Sequence, residues 1–200
     1  MNGGFFVGVE LKTQKGSRRD DGSGNKKRSK IRVFFEDFII PILISLLLYL
    51  FIKEFLFFTS YVPSASMEPT IMTEDRLVST VVNRPETLER GDIVVFESRE
   101  YGKKFIKRLI GIGGDEIRLE RNGDVYLNGE LLVEDYVVNK DTNQKEQTFI
   151  VPEEHFFFLG DNRANSGDAR EWKNPFIPYE DIIGKAQFIF YPFANFGKLK

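Results

Sequence analysis

"KFIKRLIGIGGDEIRLERNGDVYLNGE", residues 104 to 130, decides the fold class. Short blocks of Phe, Ile, Leu and Val alternate with charged residues, and Asn-Gly occurs twice, in "RNGD" (121–124) and "LNGE" (127–130). A period of two suits half-buried strands, and Asn-Gly supplies the positive-φ positions of a tight hairpin. The same texture continues in both directions: "RLVSTVV" (76–82), "GDIVVFES" (91–98), "ELLVEDYVV" (130–138), "TFIVP" (148–152), "HFFFLG" (155–160) and "AQFIFYPF" (186–193). All are rich in residues that fit a pleated surface. The expectation is an all-β, mostly antiparallel, barrel-like domain over residues 59–195, with 118–148 as a small cap or hairpin region and no second helix.

Upstream the texture changes. "FIIPILISLLLYLFI" (38–52) carries no charge. Alone it spans about 22 Å at ~1.5 Å per helical residue, short of a ~30 Å hydrocarbon core. Continuing through "FLFF" to Phe58 closes the gap if Lys53 and Glu54 snorkel, which predicts a transmembrane anchor over 32–58. A cleavable signal peptide is the alternative, but the basic tail is long and the apolar stretch exceeds a typical h-region. Residues 1–35 hold nine Lys/Arg against three Asp/Glu, and the rest holds 19 against 27. The first 31 residues read as a mostly disordered cytoplasmic tail. By the positive-inside rule, the β domain then lies on the outer face of the plasma membrane, on a single span. Basic tail, oily segment and acidic body together speak for a membrane partner and against nucleic acid.

The chain has no cysteine and one histidine, His155. That excludes disulfides, thiolate nucleophiles and histidine-rich metal sites. "GDNRANSGDAREW" (160–172) is dense in Asp and Asn but lacks the register of a calcium loop. No cofactor and no metal are expected.

In "SYVPSASMEPT" (60–70), Pro63 and Pro69 bracket two serines. On an extended strand, Ser64 and Ser66 share one face. Two readings stand: a nucleophile with a neighbouring oxyanion donor, or a serine-rich juncture. A serine needs a base. His155, entering an apolar strand, reads as a turn or packing residue. Lys107 shares its face of "KFIKRLI" with Phe105 and Leu109. Burial there lowers a lysine's pKa, and bringing it near 8 costs about 3 kcal/mol. It is either such a base or a snorkelling lysine.

Taken together, the anchor, "VPSASMEPT", "RGDIVVF", "KFIKRLIGIGGDEI" and "GDNRANSGDAR" resemble, in order, the sequence boxes of the bacterial type I signal peptidases, membrane-anchored Ser/Lys endopeptidases. The resemblance implies Ser66 as nucleophile and Lys107 as general base. Ser64 would share the oxyanion with the Ser66 backbone N–H. Ser166 would orient the lysine, Asp168 and Arg170 would prop the site, and Asp161 would be a structural acid. Val62, Met67, Phe105 and Ile106 would help line pockets for small residues at −1 and −3. Secretory preproteins are the implied partners, adding to the sheet as a strand. Gly113 stands where the family commonly has proline, and Ala169 where it commonly has serine. An inactive homologue serving as a tethered binding module is the alternative. The self-cleaving repressors share the dyad, but carry a DNA-binding domain and no anchor.

Overall fold

A computed structural model describes residues 34–199 of the chain. The expected basic tail, 1–31, lies outside the described residues, as do the side chains of Lys53 and Glu54. A π-helical turn, Phe35–Ile39, leads into helix α1, Ile40–Phe55. Pro41 follows the π-helical turn, in which the Ile40 N–H bonds the Phe35 carbonyl, and having no N–H it adds no bond to that ladder. Phe35–Ile52 is long and apolar enough to cross a membrane, about 27 Å at ~1.5 Å per residue. Its apolar side chains are exposed all round, a pattern at home in lipid.

The helix ends three residues earlier than expected. Phe57 and Phe58 belong to strand β1, Phe57–Tyr61, which pairs antiparallel with β2, Arg76–Val81. The Val81 N–H already bonds the Leu56 carbonyl, so the sheet captures the backbone groups that the helix would have used.

The remaining strands are β3 (Ile93–Ser98), β4 (Lys103–Ile112), β5 (Glu116–Leu119), β6 (Val125–Leu127), β7 (Glu130–Leu131), β8 (Gln147–Ile150), β9 (His155–Leu159), β10 (Phe176–Pro178), β11 (Ile182–Tyr191) and β12 (Gly197–Lys198). They form two antiparallel sheets. One runs β1-β2-β11-β3-β4-β9-β10 with β12 against β11, and the other runs β7-β6-β5-β8. Both Asn-Gly turns fall where the sequence places them, between β5 and β6 and between β6 and β7. Asn128 and Gly129 take φ of 53° and 86°, the pair of positive values that a two-residue type I′ hairpin requires.

One expected strand is mostly missing. The Leu132 N–H still bonds the Val125 carbonyl, but the stretch 133–138 leaves the ladder as Glu134 turns its carboxylate inward onto Arg163. The large sheet curls without closing: β1 is an edge strand, yet it lines the same groove as β4, four places away.

An aromatic core holds the sheets, with Phe96 stacked on Phe158 at 4.5 Å between ring centres. Where β11 crosses β2, packing is tight enough to demand glycine. A Cβ on Gly184 would lie 2.4 Å from the Thr80 carbonyl oxygen and 2.5 Å from the Phe58 ring. Gly184→Ala is therefore expected to destabilise the domain by about 1–3 kcal/mol, measured as a lowered urea midpoint.

Candidate active site

Lys107 stands in the long strand β4, where Val94 of β3 pairs with it. It is 3% exposed. Burial is the main cause that lowers its pKa, to about 8; Asp168 and Asp161 pull it upward and Arg170 pushes it down, but neither direction outweighs desolvation. Its Nζ lies 2.5 Å from Ser66 Oγ. A neutral amine at that distance can accept the hydroxyl proton.

Ser66 does not lie on an extended strand. Ser64 is extended, but Ala65–Met67 form a turn of 3₁₀ helix closed by the Glu68 N–H on the Ala65 carbonyl. The turn, not strand alternation, brings the two hydroxyls near each other, with 3.4 Å between Ser64 Oγ and Ser66 Oγ.

The loop after β9 packs directly behind this turn. Gly160 donates its N–H to Asp168 Oδ2 at 3.0 Å. Asp168 is fully buried and accepts from Arg170 Nε at 2.8 Å and Nη2 at 3.0 Å. Asp161 is bound from both sides, by Arg108 at 2.8 and 2.7 Å and by the Thr70 hydroxyl at 2.5 Å. The two acids thus hold arginines, as paired buried charges must. Ser166 is buried against Gly160, and its Oγ has no hydrogen-bond partner among the described residues. The expected bond from Ser166 to the Lys107 amine is not made. His155 opens β9 with its Nδ1 at 2.8 Å from the Glu153 carbonyl, a local turn contact.

A groove of about 400 Å³ runs from this point between β1 and β4. Val62, Met67, Phe105 and Ile106 all line it, together with Ser64, Ser66 and Lys107. Val62 and Met67 are buried in the core and the other two are half-buried, so the floor is apolar and rigid. Among the described residues β1 pairs only with β2, and β4 meets β9 only from Arg108 onward. Both strands therefore present edge N–H and C=O groups to the groove, the template on which an extended peptide adds.

Residues 35–191 match the family described as "Signal peptidase, peptidase S26". The chain belongs to that family. Among curated relatives, "Probable signal peptidase I-2" of Synechocystis sp. is 38% identical over 74% of this chain and 69% of its own length. "Signal peptidase I P" of Bacillus subtilis subsp. natto is 33% identical over 88% of this chain and 96% of its own. A crystal structure of a signal peptidase I from Enterococcus faecalis V583, 32% identical, aligns with a TM-score of 0.44 over 50% of this chain and 96% of that one. The signal peptidase I family comprises membrane-anchored serine peptidases, and the one helix long and apolar enough to span a membrane among the described residues supports such an anchor in this member.

Four residues at the core of this candidate site are absent from the sequence reading. Arg163 donates to the Gly160 carbonyl at 3.0 Å and, through its two terminal nitrogens, to Glu134 at 2.8 and 2.5 Å. Tyr136 donates to the same carboxylate at 2.7 Å, and the Arg108 guanidinium lies 3.9 Å above its ring. Burial beside Glu134 drives the Tyr136 pKa far above the phenolic range, so it stays a donor. The fourth is Asn162, which touches the serine turn itself. The visible signal was the failure of "ELLVEDYVV" to keep a period of two: charged Glu134 and Asp135 stand side by side where a strand would alternate.

Proposed function

We propose that this protein is a signal peptidase that removes N-terminal signal peptides from translocated preproteins at the outer face of the membrane, cutting after small-x-small sites. The observation that carries the reading is the buried Lys107 amine at 2.5 Å from Ser66 Oγ, at one end of an apolar groove. Neutral Lys107 takes the Ser66 proton as Oγ attacks the scissile carbonyl. The negative charge that develops on the carbonyl oxygen is met by the Ser66 backbone N–H and the Ser64 hydroxyl. The lysine proton goes to the leaving amine, and water, deprotonated by the same lysine, releases the signal peptide from the acyl-enzyme. Asp168, Arg170, Ser166 and Asp161 support the loop behind the dyad. The signal peptide's last residues lie along β1 and β4, with small side chains at −1 and −3 facing the floor formed by Val62, Met67, Phe105 and Ile106. Residues 57–195 form the peptidase body, with 118–148 as its small cap, and the apolar helix that ends at Phe55 is the anchor, its N-terminus in the cytoplasm.

The test is incubation of a purified preprotein with the detergent-solubilised full chain, followed by sequencing of the new N-terminus. A cut after small-x-small that Ser66→Ala removes supports the reading. A preprotein bound but left intact by the wild type overturns it in favour of a tethered binding module. Because the base acts unprotonated, kcat/KM is expected to fall tenfold per pH unit below a limb near pH 8, matching the Lys107 pKa of about 8. A profile flat from pH 6 to 9 would remove Lys107 as the base.

A further inference from the structure

Both peptide planes that flank Ser66 are held by one residue. The Asn162 backbone N–H donates to the Ser66 carbonyl at 3.1 Å, and its side-chain Nδ2 donates to the Ala65 carbonyl at 2.9 Å. A backbone carbonyl can only accept, so the bond to Ala65 fixes which way the Asn162 amide is turned. Its Oδ1 faces away and accepts from Asn139 Nδ2 at 2.8 Å. Asn139 is anchored in turn, its carbonyl accepting from the Ala164 N–H at 3.1 Å. Asn162 is 8% exposed, so water is a poor substitute for any of these bonds.

The geometry of a peptide group gives this clamp a consequence. The Ala65 C=O and the Ser66 N–H lie in one plane and point in opposite directions. Holding the carbonyl therefore aims the N–H, and accepting a hydrogen bond at the oxygen polarises the amide and strengthens its N–H as a donor. The Ala65 oxygen accepts twice, from Asn162 and from the Glu68 N–H. On the far side of Ser66, the bond from the Asn162 N–H to the Ser66 carbonyl fixes the second plane. With both planes fixed, Oγ is left only its χ1 rotation to reach Lys107.

We propose that Asn162, oriented by Asn139, is the positioning residue for the oxyanion-binding N–H of Ser66. Resting on the peptidase reading above, this gives the segment around Asn139, outside the serine turn and the lysine strand, a direct line to the reacting centre. Asn162 touches neither substrate nor reacting atoms; it acts through the two peptide groups.

The detergent-solubilised full chain, as wild type, Asn162→Ala, Asn162→Asp and Asn139→Ala, decides the matter on a signal-peptide-derived substrate. Each is also titrated with two peptides ending in the same small-x-small sequence, one as an aldehyde, which forms a tetrahedral adduct on Ser66, and one as a plain amide. With the N–H misaimed but still present, kcat is expected to fall about 10- to 100-fold, with KM within about twofold. Affinity for the aldehyde should fall in step with kcat/KM while that for the amide holds. Asn162→Asp should do no better than alanine, since a carboxylate brings no donor to the Ala65 oxygen. Asn139→Ala should show a smaller loss with the same split, and it serves if the Asn162 variants do not fold. An Asn162→Ala enzyme with wild-type kcat overturns the proposal, as does a rise in KM alone or an equal loss of affinity for both peptides. A wild type that cleaves nothing sinks the peptidase reading instead, and the proposal with it.

Discussion

Lys107→Met is expected to abolish preprotein cleavage while making the protein more stable. The catalytic half follows from the base: without it the Ser66 hydroxyl keeps its proton, and loss of general-base catalysis costs about 10²–10⁴-fold in kcat. The stability half follows from linkage. Folding lowers the Lys107 pKa from 10.5 to about 8. Above the unfolded value the lysine is neutral in both states, and burial costs nothing through this group. As pH falls from 10.5 toward 8 the unfolded chain takes up the proton first, and stability drops by ~1.4 kcal/mol per pH unit. Below 8 the full penalty of about 3 kcal/mol is in force. Methionine fills similar volume without a charge to desolvate, so at pH 7 the variant should melt several degrees higher. Its unfolding temperature should be flat between pH 7 and 9.5, where the wild type's rises. A variant less stable than wild type at pH 7 would show that the bond to Ser66 outweighs the desolvation of the amine.

Gly160→Ala is the second large effect, and it acts without removing any functional group. A Cβ at position 160 would stand 2.2 Å from Ser166 Oγ, 2.7 Å from Ser166 Cβ and 2.5 Å from the Ser66 carbonyl oxygen. The last contact is with backbone that Asn162 holds in place, and the whole set is buried. Either the serine turn or the 160–168 loop must move, and a shift of about 1 Å at a reacting group costs ~10²-fold. The expected result is kcat reduced about 100-fold or more, with a stability loss of about 1–3 kcal/mol from overpacking. Gly167→Ala in the same loop is the control. Its Cβ would meet only Glu171 at 3.8 Å, so activity should stay near wild type. Equal losses at both positions would mean that the loop tolerates no alanine for a reason other than this contact.

Strand periodicity in 76–82, 91–98 and 104–112 and the Asn-Gly turns were legible because alternation and positive φ are local properties. So was the apolar helix, whose composition suffices for a membrane span. The end of that helix was not. Nothing in "FLFF" distinguishes more helix from a strand; the partner that decides it, β2, lies 20 residues further on. The "ELLVEDYVV" stretch was misread for a related reason. Its strand propensity is real, yet Glu134 gains a buried partner in Arg163 that only the fold brings within reach.

At the site, it was the resemblance of the ordered sequence boxes to the signal peptidase family that singled out Ser66, Lys107 and the acidic loop; the residues by themselves left a nucleophile or a serine-rich juncture, and a base or a snorkelling lysine, both open. What the sequence by itself determined was therefore the class of fold, the apolar helix and a set of candidates for the site. Only the tertiary structure decided the arrangement. It made a turn of 3₁₀ helix where a strand was expected, left Ser166 Oγ beside Gly160 rather than on the lysine, and placed Asn162 across the nucleophile's two peptide groups. The physical reason is that a hydrogen bond between residues 97 apart leaves no trace in local periodicity. It exists only because the large sheet curls and brings its β1–β2 and β9–β10 loops together.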